Sequence, residues 1–442
     1  MNLNSKSLLL LIFFVLISCS KDDALNSPIN NGIEIKEITL SGSSRANAYE
    51  LYNRFIFSQD TIYFSFLDFE NNNQIVKITP VSFSQQDKID APTTIGNSID
   101  DHGAATLVLD SKSRIHAFYG AHNSPLKYRH SEKESNYRIW SKEKILGNGI
   151  TYPSAVVNSK NEIFIIYRYG FNINQKDPWE YKLMKINNGE IVFDKTILIS
   201  RKHDKDFVDR YIHYFAQLTI DSNENLHLAF ILHERSSKDP IIPKNGVGYG
   251  IGYLTSNNEG FNWQDHNGKE YAVGAMVSEL DLLKGQKDIS GLVNDFRSVS
   301  ISINPSTNLP SIGYTFYNIS ELTWNTHIIK RGLSGWKDRY IADDLYKISY
   351  AHYLNEEFII GEKLKNINSS VEEGWSNNNT KIVLRKILND GTSNEIFVSK
   401  NENKPNWYPS FPKNYSYKEK PRIASFMIGN DDGHSKVYTI KF

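Results

Sequence analysis

A short β-prone run, a polar turn and a stronger β-prone run recur seven times along this chain of 442 residues. The stronger runs cover 61–67, 115–119, 163–167, 226–232, 310–316, 358–360 and 422–427. The turns before them contain Ser58-Gln59-Asp60, Ser111-Lys112-Ser113, Asn158-Ser159-Lys160, Asp221-Ser222-Asn223, Pro305-Ser306-Thr307, Asn355-Glu356 and Tyr417-Lys418-Glu419. Adjacent copies stand about 47 to 85 residues apart, the longer gaps reading as loop insertions. No long amphipathic helix interrupts the pattern, and 278–283 reads as a single helical turn. A sheet of four strands cannot bury both its faces alone. A repeat of this length therefore predicts an all-β fold, a seven-bladed β-propeller over residues 36–442. Two packed β-sandwiches are the competing architecture, but they would not set a turn at the same point of every unit.

The two ends of the charge balance cancel: Lys and Arg total 50, Asp and Glu total 50. No bulk field favours nucleic acid, which is excluded as a partner, and an acidic substrate must be met by local basic residues. Aromatic residues make up 12%, with 25 tyrosines, which suits both strands and a carbohydrate-facing surface. A monomer is expected.

Near the start, Lys6 precedes an unbroken apolar run over 8–17 and then Ser18-Cys19. The run is too short to span a bilayer comfortably and fits the core of a secretion signal. Leu16-Ile17-Ser18-Cys19 resembles a bacterial lipobox, and Ser20-Lys21-Asp22-Asp23 resembles the acidic tag of surface-exposed Bacteroidetes lipoproteins. The resemblance implies a signal peptide over 1–18, lipidation at Cys19 and an outer-membrane, cell-surface location. Residues 19–35 are polar and rich in Asn and Ser, and read as a flexible tether. Cys19 is the only cysteine, so the 424 residues left after removal of the first 18 have no internal disulfide and no thiolate metal site.

His102 and His122 lie ten residues either side of Lys112, the middle of the turn 110–114. The flanking runs 104–109 and 115–119 form a hairpin in which residues whose numbers sum to 224 face each other. The two imidazoles then stand side by side at its open end, about 5 Å apart at Cβ. That arrangement suits proton transfer better than a packed core. In a propeller the first strand of each blade lines the central channel, so counting back about ten residues from each turn samples one end of it. The count gives Tyr49, His102, Thr151 or Tyr152, His213, Arg297, Tyr346 and Trp407, each to within one or two positions. The second strands return to the same end with His122-Asn123, Tyr167-Arg168-Tyr169 and His233. Hydrogen-bonding, cationic and aromatic groups dominate this set, whereas a structural interior would hold Val, Ile and Ala.

Several of these residues resemble a family. Ser256-Asn257-Asn258-Glu259-Gly260-Phe261-Asn262-Trp263 is similar to the Asp-box of BNR propellers, Ser-x-Asp-x-Gly-x-Thr-Trp, with Asn258 for the Asp and Asn262 for the Thr. Asp100-Asp101-His102-Gly103-Ala104-Ala105, with Phe118-Tyr119-Gly120-Ala121-His122 following, resembles the BNR-type seven-bladed polysaccharide lyases that include the ulvan lyases. Tyr167, the strand Trp179-Glu180-Tyr181-Lys182 and the run Tyr249-Gly250-Ile251-Gly252-Tyr253-Leu254 fit the same layout. The resemblance is specific over about residues 99 to 183.

The resemblance implies β-elimination at a uronic acid of a sulfated rhamnose–uronate polysaccharide. It also implies His102 and His122 as site histidines and Tyr167 as the acid/base tyrosine. The family's carboxylate-binding arginine falls on Lys182 here, which supplies charge without a bidentate fork. Arg168, Arg210 or Arg297 would supply the fork, Arg297 being favoured by its place in the count. Asn123, Tyr211, His213 and Trp407 complete the expected substrate contacts, with Trp407 and Tyr49 stacking on sugar rings. No cofactor is needed for the chemistry and no metal ligands are assigned. A structural calcium is compatible, and the Cys-and-His metal site of some relatives cannot form without cysteine. The acidic polysaccharide and, through Cys19, the membrane are the expected partners. Two other readings use the same surface: a glycoside hydrolase, which typically needs two carboxylates at the scissile bond, and a non-catalytic glycan-binding lipoprotein.

Overall fold

Each strong β-prone run becomes the second strand of a four-stranded antiparallel meander. The computed structural model describes residues 32–58, 60–83, 91–170, 179–200, 214–234, 246–286, 291–364, 376–400, 403–413, 421–431 and 433–442. Among the described residues the regular structure is strand, apart from one turn of 3-10 helix at Val277–Glu279.

Unit one pairs Phe55–Ser58, Thr61–Glu70, Asn73–Val81 and Thr93–Ser98 in chain order. Unit two runs Thr106–Leu109, Ile115–Tyr119, His122–His130 and the first part of the long strand Lys144–Val157. The rest of that strand opens unit three, followed by Ile163–Tyr169, Glu180–Asn187 and Glu190–Ile199. Unit four holds Tyr214–Ile220, Leu226–Glu234, Val247–Ser256 and Asn262–Asp265. Units five and six run Asn294–Ile303 to Gly335–Ala342 and Leu345–Tyr353 to Ser393–Val398. The last unit takes three strands from the C-terminal end, Asn406–Ser410, Ile423–Gly429 and Ser435–Lys441. Its fourth, Glu34–Gly42, comes from the N-terminal end.

The core lies between consecutive units. Val108 and Phe118 of unit two pack with Ile165 and Met184 of unit three. The other face of unit three sets Phe164 and Leu183 against Leu218, Leu228 and Trp263 of unit four. Ile231 and Ile251 then meet Val299 and Ile312, and Phe358 and Leu384 meet Phe426 and Ile440. Each fully buried Leu, Ile or Phe contributes about 1.5–3 kcal/mol relative to exposure.

Polar contacts also pass from unit to unit. Asp110, Asn158 and Asp221 each accept two backbone N–H bonds within their own turn. Ser111 N donates to Asn161 Oδ1, Ser159 N to Glu224 Oε1 and Ser222 N to Asn308 Oδ1, at 2.7–2.9 Å. First strands are joined likewise: Asn53 Nδ2 to Leu107 O, Leu218 N to Ser154 Oγ, Gln217 Nε2 to Ile301 O and Ser298 Oγ to Ile348 O. Lys413 N, just past the last first-strand, donates to Asn53 Oδ1 at 2.9 Å.

The hairpin at 106–118 has the expected register: Thr106 faces Phe118 and Leu109 faces Ile115. In the turn 256–263, Asn258 does the work of the aspartate. Its Oδ1 accepts from Asn262 N at 2.9 Å, Ser256 Oγ accepts from Gly260 N at 2.9 Å, and Trp263 is buried.

Units four and five meet at Gly248, whose N–H donates to Asp295 Oδ1. A Cβ there would stand 2.0 Å from the Phe296 carbonyl oxygen, while at Gly332 the nearest atom would be 3.5 Å away. Gly248→Ala is therefore expected to cost about 1–3 kcal/mol, and Gly332→Ala less than about 0.5 kcal/mol, measured as denaturant midpoints.

Candidate active site

Two glycines let the backbones on either side of the unit-two hairpin touch. A Cβ on Gly103 would lie 2.7 Å from Gly120 Cα. Gly120 has φ +80° and donates its N–H to Gly103 O at 2.8 Å. This close approach stacks the His102 and His122 rings, with centroids 3.9 Å apart and planes 11° from parallel. The regular ladder stops at Thr106–Phe118, and His122 already begins the third strand.

A carboxylate holds each ring. His122 Nδ1 is 2.5 Å from Asp100 Oδ2, and His102 Nδ1 is 2.7 Å from Asp101 Oδ1. Asp100 Oδ1 also accepts the backbone N–H of His102 at 2.9 Å. Ser44 Oγ donates to Asp101 Oδ2 at 2.6 Å. Arg45 Nη1 reaches His102 Nε2 and Asp101. Behind it, Asp431 takes the other side of the guanidinium, with Nε to Oδ1 at 3.2 Å and Nη2 to Oδ2 at 3.3 Å. The His122 side chain is 26% exposed and His102 15%. Among the described residues no group bonds Nε2 of His122.

Burial alone would raise the Asp100 pKa, but hydrogen bonds from His102 and His122 outweigh it and hold the carboxyl well below its ordinary value. Asp101 is lowered in the same way by His102 and Ser44, with the Arg45 charge helping. For His102, burial and Arg45 act downward, yet Asp100 and Asp101 lift the ring above its ordinary value. Two unit charges about 4 Å apart repel by about 4 kcal/mol at an effective dielectric of 20. The stacked pair therefore holds one added proton far more readily than two.

Aromatic rings from other units floor the pocket. Tyr49 lies 5.7 Å from His102, 5.0 Å from Tyr152, 5.4 Å from Phe215 and 5.3 Å from Tyr408 between centroids. The Tyr152 ring is 6.0 Å from that of His122. Lys347 places its ammonium over Tyr408 and Tyr49 from below. Residues counted to the start of separate first strands therefore do share one place.

Other expected site residues have different partners. Tyr167 is 1% exposed in the apolar layer between units two and three, and its hydroxyl donates to Asp194 at 2.6 Å. Burial first, and then the Asp194 charge, push that phenol far above its ordinary value. The Tyr167 hydroxyl thus has a carboxylate partner, while the phenol rings beside the imidazoles are those of Tyr49 and Tyr152. Arg297 spends Nη2 on Asp295 and on Gly246 O, at 2.6 and 2.7 Å, so the favoured carboxylate fork is tied into the unit-four to unit-five junction. Lys182 bonds Asp194 at 2.9 Å. Arg168 is buried between the Tyr152 and Trp179 rings. Trp407 and Tyr49 are each 2% exposed, and a buried ring has no face to offer a sugar. Asn123, at φ +50°, is exposed beside His122 and exchanges hydrogen bonds with Thr151. Arg210, Tyr211, His213 and Cys19 lie outside the described residues. Arg45 and Asp431 belong to no motif, and their signal is visible only once the two chain ends are brought together.

Asp100, His102 and His122 offer one donor atom each within 4.8 Å of one another. Both Nδ1 atoms are committed to carboxylates, and a guanidinium stands at His102 Nε2. A cation bound there would have to displace a cation, so the donor set fits proton transfer rather than metal binding.

Fold and site together define a repeat-built all-β protein with a stacked imidazole pair in a polar pocket. The chain belongs to the family described as BNR repeat-containing family member, whose model matches residues 58–342. It is 22% identical over 153 residues to the PL25 ulvan lyase of Pseudoalteromonas sp. (strain PLSV) and, over the same length, to the ulvan lyase of Alteromonas sp. (strain LOR). Those stretches span 31% of this chain and 30% of each relative. Among solved structures, the PL25 ulvan lyase superposes with a TM-score of 0.68 at 13% identity, covering 91% of this chain and 95% of that one. The same lyase bound to -[GlcA(1-4)Rha3S]- gives 0.67 at 14% identity over 91% and 95%. The polysaccharide lyase Uly1 gives 0.57 at 9% identity over 95% and 99%.

The depressed Asp100 carboxyl links stability to pH with a definite sign. A carboxyl lowered by folding stabilises above its unfolded pKa of about 3.9 and loses that contribution as pH falls toward the folded value. The urea midpoint of wild type over Asp100→Asn should therefore be fully displaced at pH 6 and converge below pH 4.

Proposed function

We propose that this protein is a polysaccharide lyase that cleaves a uronate-containing, ulvan-like polysaccharide by β-elimination. The observation that carries the reading is the open Nε2 of His122, backed by Asp100 on Nδ1 and stacked on a second imidazole. A carboxylate on Nδ1 orients the ring and stabilises the imidazolium formed when Nε2 takes a proton. The fold likeness to ulvan lyases supports the same chemistry.

Elimination removes the proton on C5 of the uronate and expels the glycosidic oxygen on C4. The conjugate base carries two negative charges on one small unit, so cationic groups must face the carboxylate. In the proposed reaction His122 Nε2 takes the C5 proton. The Arg45–His102 couple faces the carboxylate, and Tyr152 hands a proton to the departing O4. The C5–H electron pair forms the C4=C5 double bond, giving a conjugated, unsaturated uronate end.

Hydrolysis is the weaker reading. The two carboxylates in the pocket are both held ionised by their histidine partners, whereas a hydrolase needs one of its pair protonated. We also infer a closed seven-bladed propeller, supported by the Lys413–Asn53 bond and by the pairing of Glu34–Gly42 with Ser435–Lys441. An outer-membrane lipoprotein anchored through Cys19 suits the polymeric substrate, which must be cut outside the cell.

Incubating the soluble domain with a panel of uronate polysaccharides should raise ultraviolet absorbance from the conjugated double bond. His122→Gln should lower that rate by about 10²–10⁴-fold in protein shown by circular dichroism to remain folded. Saturable binding with no absorbing product would instead mark a glycan-binding module, and new reducing ends without absorbance a hydrolase.

A further inference from the structure

We propose that Arg45, clamped by Asp431, is a positioning residue that decides which of the two stacked imidazoles receives the proton. It does so by engaging Nε2 of His102 and leaving Nε2 of His122 as the imidazole acceptor that no described residue bonds. The donor and acceptor inventory carries the argument. A guanidinium has N–H donors and no acceptor, and an ionised carboxylate accepts only. Arg45 Nη1 lies nearer to Nε2 of His102 than to Nδ1, which is 3.3 Å away, so Nε2 presents its lone pair to the guanidinium while Nδ1, 2.7 Å from Asp101 Oδ1, carries the hydrogen. His102 is thereby fixed as the Nδ1–H tautomer with its lone pair already taken. His122 is fixed in the same tautomer by Asp100, but with its lone pair open.

Among the described residues, the groups facing His102 are Asp100, Asp101, Arg45, the stacked His122 ring and the rings of Tyr49 and Tyr152. Tyr52 Oη bonds its carbonyl. Among these the guanidinium is the one permanent cation. It makes the two otherwise similar imidazoles unequal, and the stacking distance makes the inequality matter, because a proton on one ring disfavours a proton on the other. Asp431 sets where that charge stands by gripping both Nε and Nη2, which leaves only Nη1 to turn toward the histidine. The clamp comes from the far end of the chain, 386 residues away. The inference rests on the lyase reading for what the proton is taken from, but not for the tautomers.

Nitrogen-15 spectra of the histidine side chains, assigned with His102→Gln and His122→Gln, test it without substrate. In wild type both rings should show the Nδ1–H tautomer. Arg45→Gln should raise the His102 titration midpoint, because the guanidinium charge that acts downward on that ring is gone, with Asp431→Asn giving a smaller shift of the same sign. Arg45→Lys, which keeps the charge, should restore part of the wild-type midpoint. With an active substrate, Arg45→Gln should lose more kcat at pH 6 than at pH 8.5, over and above the loss at every pH that follows from removing the cation facing the uronate carboxylate. An unmoved His102 midpoint in folded Arg45→Gln, or an Nε2–H tautomer in wild type, would overturn the proposal. A shifted midpoint with no product from any uronate polymer would keep it and sink the lyase reading instead.

Discussion

A four-stranded sheet that is apolar on both faces has no stable existence alone, and that single constraint organises the molecule. Every unit must find a neighbour for each face. Leu183 on one side of unit three and Met184 on the other belong to different cores, one strand residue apart. The strands alternate, so the same short segment serves two interfaces. The last sheet draws on both ends of the chain, Glu34–Gly42 pairing with Ser435–Lys441.

The pocket follows from where this architecture leaves backbone free. First strands bury their middles, but the segments leading into them, such as 98–103 and 43–53, cross one end of the assembly. Side chains there are held by neighbours that sequence distance would never suggest. Carboxylates, imidazoles and a guanidinium can be packed together because each charge has an opposite within hydrogen-bond reach, which offsets the desolvation that an isolated ion would suffer. The other strand histidines show the contrast. His116 and His227 each bridge a turn aspartate and a third-strand tyrosine, with Tyr128 and Tyr253 at 2.8 and 2.7 Å. Both nitrogens of those rings face a protein group, so each ring ties a turn to the third strand of its unit.

Much of this was legible in the chain. The second strands fall where β-prone runs follow polar turns, because turn chemistry and alternation are local properties. The register of 106–118 followed from the centre of its turn; the meeting of His102 and His122 was expected from it, but beyond the ladder it is the contact of Gly103 with Gly120 that brings the rings together. Tyr49, Tyr152, Phe215 and Tyr408 also converge, within the one or two positions that the count allows. What sequence did not reveal is side-chain direction and partner choice. Tyr167 and Arg168 are adjacent, yet one faces unit two and the other lies against Tyr152, and counting cannot say which phenol reaches the pocket. Arg297 stands at a first-strand position but is claimed by Asp295, two residues before it. Arg45 carries no motif, and its neighbour Asp431 becomes visible only when the ends of the chain come together.

The mixed parentage of the last sheet carries a consequence for biogenesis. Its outer strand is among the earliest described residues to leave the ribosome and the strands it needs are the last. The early segment must therefore wait for most of its pairing until the final hairpin has been made, and loss of that hairpin would leave Glu34–Gly42 without its long partner strand.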